Sequence, residues 1–339
     1  MKTIDWVDDH VRLVDQTRLP TEVLFVDLSE VDDLVDAIKR LVVRGAPAIG
    51  VAGAFGVLLS AIRVSMNDEP IENIVADSKK LVDARPTATN LKWGVQKMLD
   101  EIDGLTSAKE IVARALKTAK EIMDEDVVTN ISMAKLGADF VSEIVDGPIS
   151  VQTHCNAGGL ACVDWGTALG VVRELHSRGK IKEVFADETR PLLQGLRLTA
   201  WELERLGIRH SIVVDGAGPS VIANKMVNVV LVGSDRIAAN GDIANKIGTY
   251  PLALAAARAG IPFIVVAPES TVDLTTKTGA EIKIELRDEQ EILFWNNRRI
   301  APAGSHGFNP AFDVTPADLI FAIVTEKRVV RPQRGERLD

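Results

Sequence analysis

The sequence predicts an α/β protein: a small, mainly helical N-terminal domain with a few strands, then a Rossmann-like doubly wound parallel-sheet domain. Three observations carry this expectation. From residue 148 onward, short runs rich in β-branched residues alternate with amphipathic stretches, the pattern of βαβ units. Before about residue 145, helical periodicity dominates. The 339 residues, 46% hydrophobic and 26% charged, suffice for two globular domains of roughly 150 residues each. The boundary is expected near residue 130, giving domains 1–130 and 131–339.

The elements follow in chain order. The opening segment IDWVDDHVRLVDQTRLPTEVLFVDL reads as two or three small strands, and VDDLVDAIKRLVV as a helix. The stretch from Gly45 to Ile62 carries no charge and reaches membrane-spanning length, but four glycines and Pro47 interrupt it. A tightly packed core helix is the better reading, with Gly50, Gly53 and Gly56 letting another backbone approach one face. Ser107 to Val145 is a single long helical pattern, expected to bridge the domains. Beyond it, ISVQT, EVFAD, HSIVVD, VVLVGSD and FIVVAP read as strands. The intervening WGTALGVVRELHSRG, LLQGLRLTAWELERLG and IANKIGTYPLALAAARAG read as helical segments. No internal repeat is visible.

Composition excludes several classes of function. With 39 Lys+Arg against 48 Asp+Glu the net charge is −9, and no basic block is present; general nucleic-acid binding is therefore not expected. Nine Phe, five Trp and one Tyr leave little for base stacking. Two cysteines fit a reducing compartment rather than a disulfide framework. The five histidines show no zinc-ligand spacing. The acidic N-terminus lacks an apolar signal core, so a cytoplasmic protein without a membrane partner is expected.

In doubly wound sheets, ligands bind beyond the carboxyl ends of the strands. The unusual polar residues fall there: Thr153-His154-Cys155-Asn156, Asp187-Glu188-Thr189-Arg190, Asp215-Gly216, Gly233-Ser234-Asp235-Arg236 and Pro268-Glu269-Ser270-Thr271. Cys155, in a glycine-rich turn read as opening onto a helix, is either an activated thiol or a buried structural one. Asp235 is either an acid or base of tunable pKa, or a helix N-cap or partner of Arg236. Asp187 and Glu188 have Arg190 and Arg197 as candidate structural ion-pair partners. Arg44 and Gly45 precede the helix that Pro47 begins, an arrangement suited to an anion. Arg85 offers a second guanidinium, although both arginines could equally form interdomain salt bridges. Asn245 and Lys246 add an amide and a cation near the same rim. Dinucleotide and P-loop fingerprints are absent.

These segments closely resemble the methylthioribose-1-phosphate isomerase family, whose superfamily includes ribose-1,5-bisphosphate isomerases and regulatory subunits of a translation initiation exchange factor. The matching segments are LVDQTRLP, RGAPAIG, RPTATNLKW, THCNAGGLA, GTALGVVRE, DETRPLLQGLRLTAWEL, GSDRIAANGDIANKIGTY and NPAFDVTPADLI. The resemblance spans nearly the whole chain. It implies a homodimer that converts an aldose 1-phosphate to a ketose 1-phosphate, with neither metal nor organic cofactor. By motif it implies Cys155 and Asp235 as the catalytic pair. It likewise implies Arg44, Gly45, Ala46, Arg85, Gln194, Asn245 and Lys246 as contacts to a small phosphorylated sugar. Asp164, Trp165 and His306 depart from the family pattern. They leave the 5-substituent open among methylthio, deoxy and phosphate, and no extra basic cluster favours the bisphosphate.

Overall fold

The structure, a computed structural model, describes residues 1–338. It divides into two compact units: Met1–Ser132 with Ala157–Gly170, and Met133–Asn156 with Val171–Asp339.

The first unit opens with an antiparallel sheet in the order β1 (Ile4–Val7), β2 (His10–Val14) and β3 (Phe25–Leu28). Helix α1 (Val31–Lys39) buries Val31, Leu34, Val35 and Ile38, the i, i+3, i+4, i+7 stripe that its sequence spells. It stops because Leu41 takes a left-handed φ of 63°. The uncharged stretch forms α2 (Ala46–Asn67), long and apolar enough to cross a membrane yet 78% buried over its most apolar window. That burial makes it the core helix of this unit, as expected. It packs with α3 (Glu72–Ala84) and α4 (Thr89–Ile102), and Phe55 stacks on Trp6 at 5.6 Å. The glycine stripe acts as anticipated. A Cβ at Gly94 of α4 would overlap the carbonyl oxygen of Gly50, and one at Gly56 would lie 2.6 Å from Leu81. Helix α5 (Ala108–Ile144) has residues in both units.

The segment 157–170 packs with the first unit, whereas sequence placed it beyond the boundary at 130. Local hydrogen bonds hold it there. Thr3 N donates to Val163 O, Thr3 Oγ1 to Gly159 O, Gln16 Nε2 to Leu160 O, and Val163 N to Asp126 of α5.

The second unit carries a seven-stranded sheet. Its elements in chain order are β4 (Ile149–Thr153), α6 (Ala168–Ser177, whose first three residues belong to the first unit), β5 (Ile181–Asp187), α7 (Ala200–Arg205), β6 (His210–Val213), α8 (Gly218–Ala223) and β7 (Val229–Val232). Then come β8 (Arg236–Ala238), β9 (Ile243–Lys246), α9 (Thr249–Ala259), β10 (Phe263–Val266), β11 (Val272–Asp273) and α10 (Gln290–Leu293). The last are β12 (Phe294–Trp295), β13 (Arg298–Arg299), β14 (Phe312–Thr315), β15 (Ala322–Val324) and β16 (Val329–Val330). The sheet order is β16-β15-β10-β7-β4-β5-β6, parallel except for β16 at the edge. Without β16, this is the 3-2-1-4-5-6 order of Rossmann-type sheets, with the switch point between β4 and β7. The strands read from ISVQT, EVFAD, HSIVVD, VVLVGSD and FIVVAP are all present.

One reading needs correction. IANK is not the start of a helix but strand β9, paired antiparallel with β8 and β14 in a second sheet, β11-β8-β9-β14. Gly248, at φ 104°, separates it from α9. Cross-strand pairing from β14, far along the chain, outweighs local helical spacing.

Candidate functional site

The second unit places Cys155 and Asp235 just past the carboxyl ends of β4 and β7, neighbouring parallel strands on either side of the switch point. Both are half-buried. Cys155 holds a left-handed φ of 60°, which a non-glycine residue keeps only where its surroundings over-determine it. Here they do. Its N–H donates to Thr189 Oγ1 at 2.9 Å, and its carbonyl accepts from Thr199 Oγ1 at 2.5 Å. Thr189 Oγ1 in turn donates to the Asp187 carbonyl. Asn156 Nδ2 donates to Thr199 Oγ1 and to Glu202.

No α-helix begins at this turn: only a three-residue 3₁₀ segment, Gly159–Ala161, precedes α6. The helix-terminus argument for an activated Cys155 therefore falls; the threonine hydrogen bonds fix its backbone conformation. Asp235 is likewise not a helix N-cap, since β8 follows it directly; its N–H donates to the Ala244 carbonyl of β9. Arg236 lies 3.6 Å from Asp273.

Asp187 also departs from the ion-pair expectation. Its carboxylate accepts from Gln152 Nε2 at 2.8 Å and lies 2.9 Å from His154 Nδ1, with Asp187 1% and His154 2% exposed. Burial raises the Asp187 pKa despite the opposing hydrogen bond from His154. For His154, burial alone would lower the pKa, but the Asp187 hydrogen bond and charge outweigh it and raise it. The other ring nitrogen, Nε2, lies 2.7 Å from the Ile247 carbonyl. Asp215 accepts from the backbone N–H groups of Thr189 and Arg190.

Gln194, 6% exposed, precedes a π-helical turn, Gly195–Thr199, a feature often found at functional sites. Its Oε1 is buried without a hydrogen-bond partner. Asn245 Nδ2 donates to Thr249 Oγ1 at 2.9 Å, and Lys246 Nζ lies 4.8 Å from the Phe312 ring centroid. Asp313 accepts from the N–H groups of Gly248 and Tyr250 at the start of α9. Burial raises its pKa against those bonds.

In the first unit, Arg44 is buried, with Nε donating to Gln16 Oε1 at 2.9 Å. Gly45, at φ 94°, is the N-cap of α2, whose first turn contains Ala46 and Pro47. A Cβ there would lie 2.5 Å from Ala161 Cα. Amide groups of this first turn suit an anion. Arg85 is the half-buried C-cap of α3. His306 is 91% exposed, and Asp164 lies 3.6 Å from the N-terminal amine. Among the described residues, no three His, Cys, Asp or Glu side chains form a metal-ligand group.

Sequence reasoning placed His154 and Thr189 at the strand ends without giving either a role, and it passed over Thr199 and Asp313. One signal was available: Gln152 and Thr153 lie in a strand whose every residue is buried, where polar groups call for buried partners.

Comparisons with known proteins agree along the whole chain. The family model described as the Initiation factor 2 subunit family matches residues 42–332. Methylthioribose-1-phosphate isomerase 2 of Pseudothermotoga lettingae is 48% identical over 338 residues, 99% of this chain and 97% of that protein. The structure of 5-methylthioribose 1-phosphate isomerase from Pyrococcus horikoshii is 40% identical with a TM-score of 0.88, covering 98% of this chain and 92% of that one. A structure described as translation initiation factor eIF-2B, subunit delta, from A. fulgidus is also 40% identical, with a TM-score of 0.85, covering 99% and 97%. The chain belongs to the Initiation factor 2 subunit family and, within it, to the methylthioribose-1-phosphate isomerases.

Proposed function

We propose that this chain is an aldose–ketose isomerase converting 5-methylthioribose 1-phosphate to 5-methylthioribulose 1-phosphate in methionine salvage. Cys155 and Asp235 form its catalytic pair. The observation that carries the reading is their position beyond β4 and β7, flanking the switch point of the parallel sheet. The names of full-length relatives support the same chemistry. A regulatory subunit would keep the fold but has no need of this Cys–Asp pair. We further propose that the enzyme is a cytoplasmic homodimer.

A phosphate on C1 removes the free hemiacetal hydroxyl through which a sugar ring ordinarily opens. Asp235, as general acid, protonates the ring oxygen as its bond to C1 breaks. Hydrogen then moves from C2 to C1. If it moves as a proton through an enediol, Cys155 thiolate is the base; if as a hydride, the thiolate stabilises developing charge. Of the first unit's residues, Arg44 and Arg85, with amides from Gly45 and Ala46, suit a phosphate group; of the second unit's, Lys246 does. Gln194 and Asn245 supply neutral contacts.

Cys155→Ser and Asp235→Asn are expected to lower kcat by on the order of 10² or more; near-unchanged turnover in either would defeat the assignment. Solvent deuterium entering C1 during turnover would exclude a pure hydride shift. Comparing kcat/KM for the methylthio, 5-deoxy and 5-phospho sugars tests the 5-substituent, with the methylthio sugar expected to be best. No turnover of any would restore the regulatory reading.

A further inference from the structure

Resting on that reading, we propose that His154 is a positioning residue. Its ring, hydrogen-bonded to Asp187 on one side and to the Ile247 carbonyl on the other, clamps the Cys155 turn to the segment carrying Asn245 and Lys246.

The geometry fixes one of the two ring protons. A carbonyl oxygen only accepts, so at 2.7 Å from Ile247 O the Nε2 atom carries a hydrogen. Asp187 already accepts from Gln152 through one carboxylate oxygen and meets Nδ1 with the other. Asp187 at the end of β5 contacts the ring, and the charges of Asp215 beyond β6 and Asp313 of β14 also act on it. Buried among them, the ring is held as an imidazolium donating from both nitrogens, with Asp187 ionised. Packing leaves it little room to turn, because a Cβ at Gly248 would lie 2.7 Å from His154 Cε1.

The ring reaches the catalytic segments along two routes. His154 adjoins Cys155 in the chain, and Asp187 also accepts through its carbonyl from Thr189, which in turn holds the Cys155 N–H. On the far side, Ile247 directly follows Lys246, and Gly248 N donates to Asp313. Loss of one proton leaves the ring with a single N–H between two acceptors. One of its two bonds then becomes a repulsion, and the clamp opens.

The test uses the full chain with 5-methylthioribose 1-phosphate, following kcat/KM from about pH 6 to about pH 10. The wild type should show a falling alkaline limb. In His154→Gln nothing at that position titrates. In Asp187→Asn the amide donates to Nδ1, so a neutral ring keeps both bonds. Asp235, as general acid, also contributes to that limb, so both variants should move its midpoint to higher pH rather than abolish it, with Asp187→Asn staying within about tenfold of wild-type kcat/KM. His154→Ala should lose at least about tenfold. An alkaline midpoint unchanged in both conservative variants, or wild-type turnover in His154→Ala, would overturn the proposal. Imidazole ¹⁵N spectra supply a readout independent of activity: the histidine signal removed by His154→Gln should show both nitrogens protonated near neutral pH. A singly protonated ring would also overturn the clamp. A doubly protonated ring in a wild type that does not turn over the sugar would support the clamp and sink the isomerase reading instead.

Discussion

The α2–α4 crossing of the first unit and the Cys155 turn of the second both hold backbone in places that ordinary side chains resist, by opposite means. At the crossing, Gly94 and Gly50 simply leave out atoms, and the approach depends on empty space. At the turn, a cysteine sits at positive φ and is kept there by Thr189, Thr199 and the buried Asp187–His154 pair. A site built by omission tolerates no addition and responds little to pH. A site built from directional bonds tolerates isosteres that keep the bonds, and it responds to proton occupancy.

The largest expected effect lies at the crossing. Gly94→Ala places a Cβ onto the Gly50 carbonyl and should cost about 3 kcal/mol of unfolding free energy. Gly104→Ala, also at a glycine but with no atom within 4 Å of the added Cβ, should cost only about 1 kcal/mol through its left-handed φ. Equal losses in denaturant unfolding would break the distinction between space and backbone conformation.

At the turn the effect should appear first in catalysis. Thr199→Val keeps the shape but removes the hydroxyl that donates to the Cys155 carbonyl. It should lower kcat about tenfold while costing about 1 to 2 kcal/mol of stability. A stability loss with unchanged kcat would show that the hydroxyl holds the fold rather than the thiol.

A pH-dependent effect extends the contrast to the buried carboxyls. Asp126 of α5 accepts from Val163 N, and burial pushes its pKa up to about 7, with that hydrogen bond opposing. Its unfolded pKa is about 3.9. The folded chain therefore holds this proton where the unfolded chain has lost it, so stability should fall as pH rises from about 4 to about 7. Asp126→Asn should flatten that part of the stability–pH curve. An unchanged slope would mean that other groups set it.

Much of the fold was legible because its information is local. The α1 stripe, the α5 pattern and the apolar runs of β4, β5, β6, β7 and β10 each declare their element within a few residues. The glycine spacing in α2 likewise announced a close backbone approach. IANK misled because both its strand partners, β8 and β14, lie outside the motif, β14 more than sixty residues later. The candidate site was legible in part. Cys155 and Asp235 stood out at strand ends, whereas the Asp187–His154 pair, 33 residues apart in sequence, did not. Arginines near Asp187 in the chain looked like its partners, yet the fold gave it a histidine.

By itself, the amino-acid sequence determined the order of elements, the parallel sheet and the family, because hydrophobic period and contiguous motifs are properties of neighbouring residues. Only the tertiary structure decided which side chains share buried protons, and that Cys155 is held by threonine hydroxyls rather than by a helix terminus. It also decided that residues 157–170 pack with the first unit. Hydrogen bonds act over about 3 Å in space and are indifferent to separation along the chain, so their partners become known only once the chain has folded.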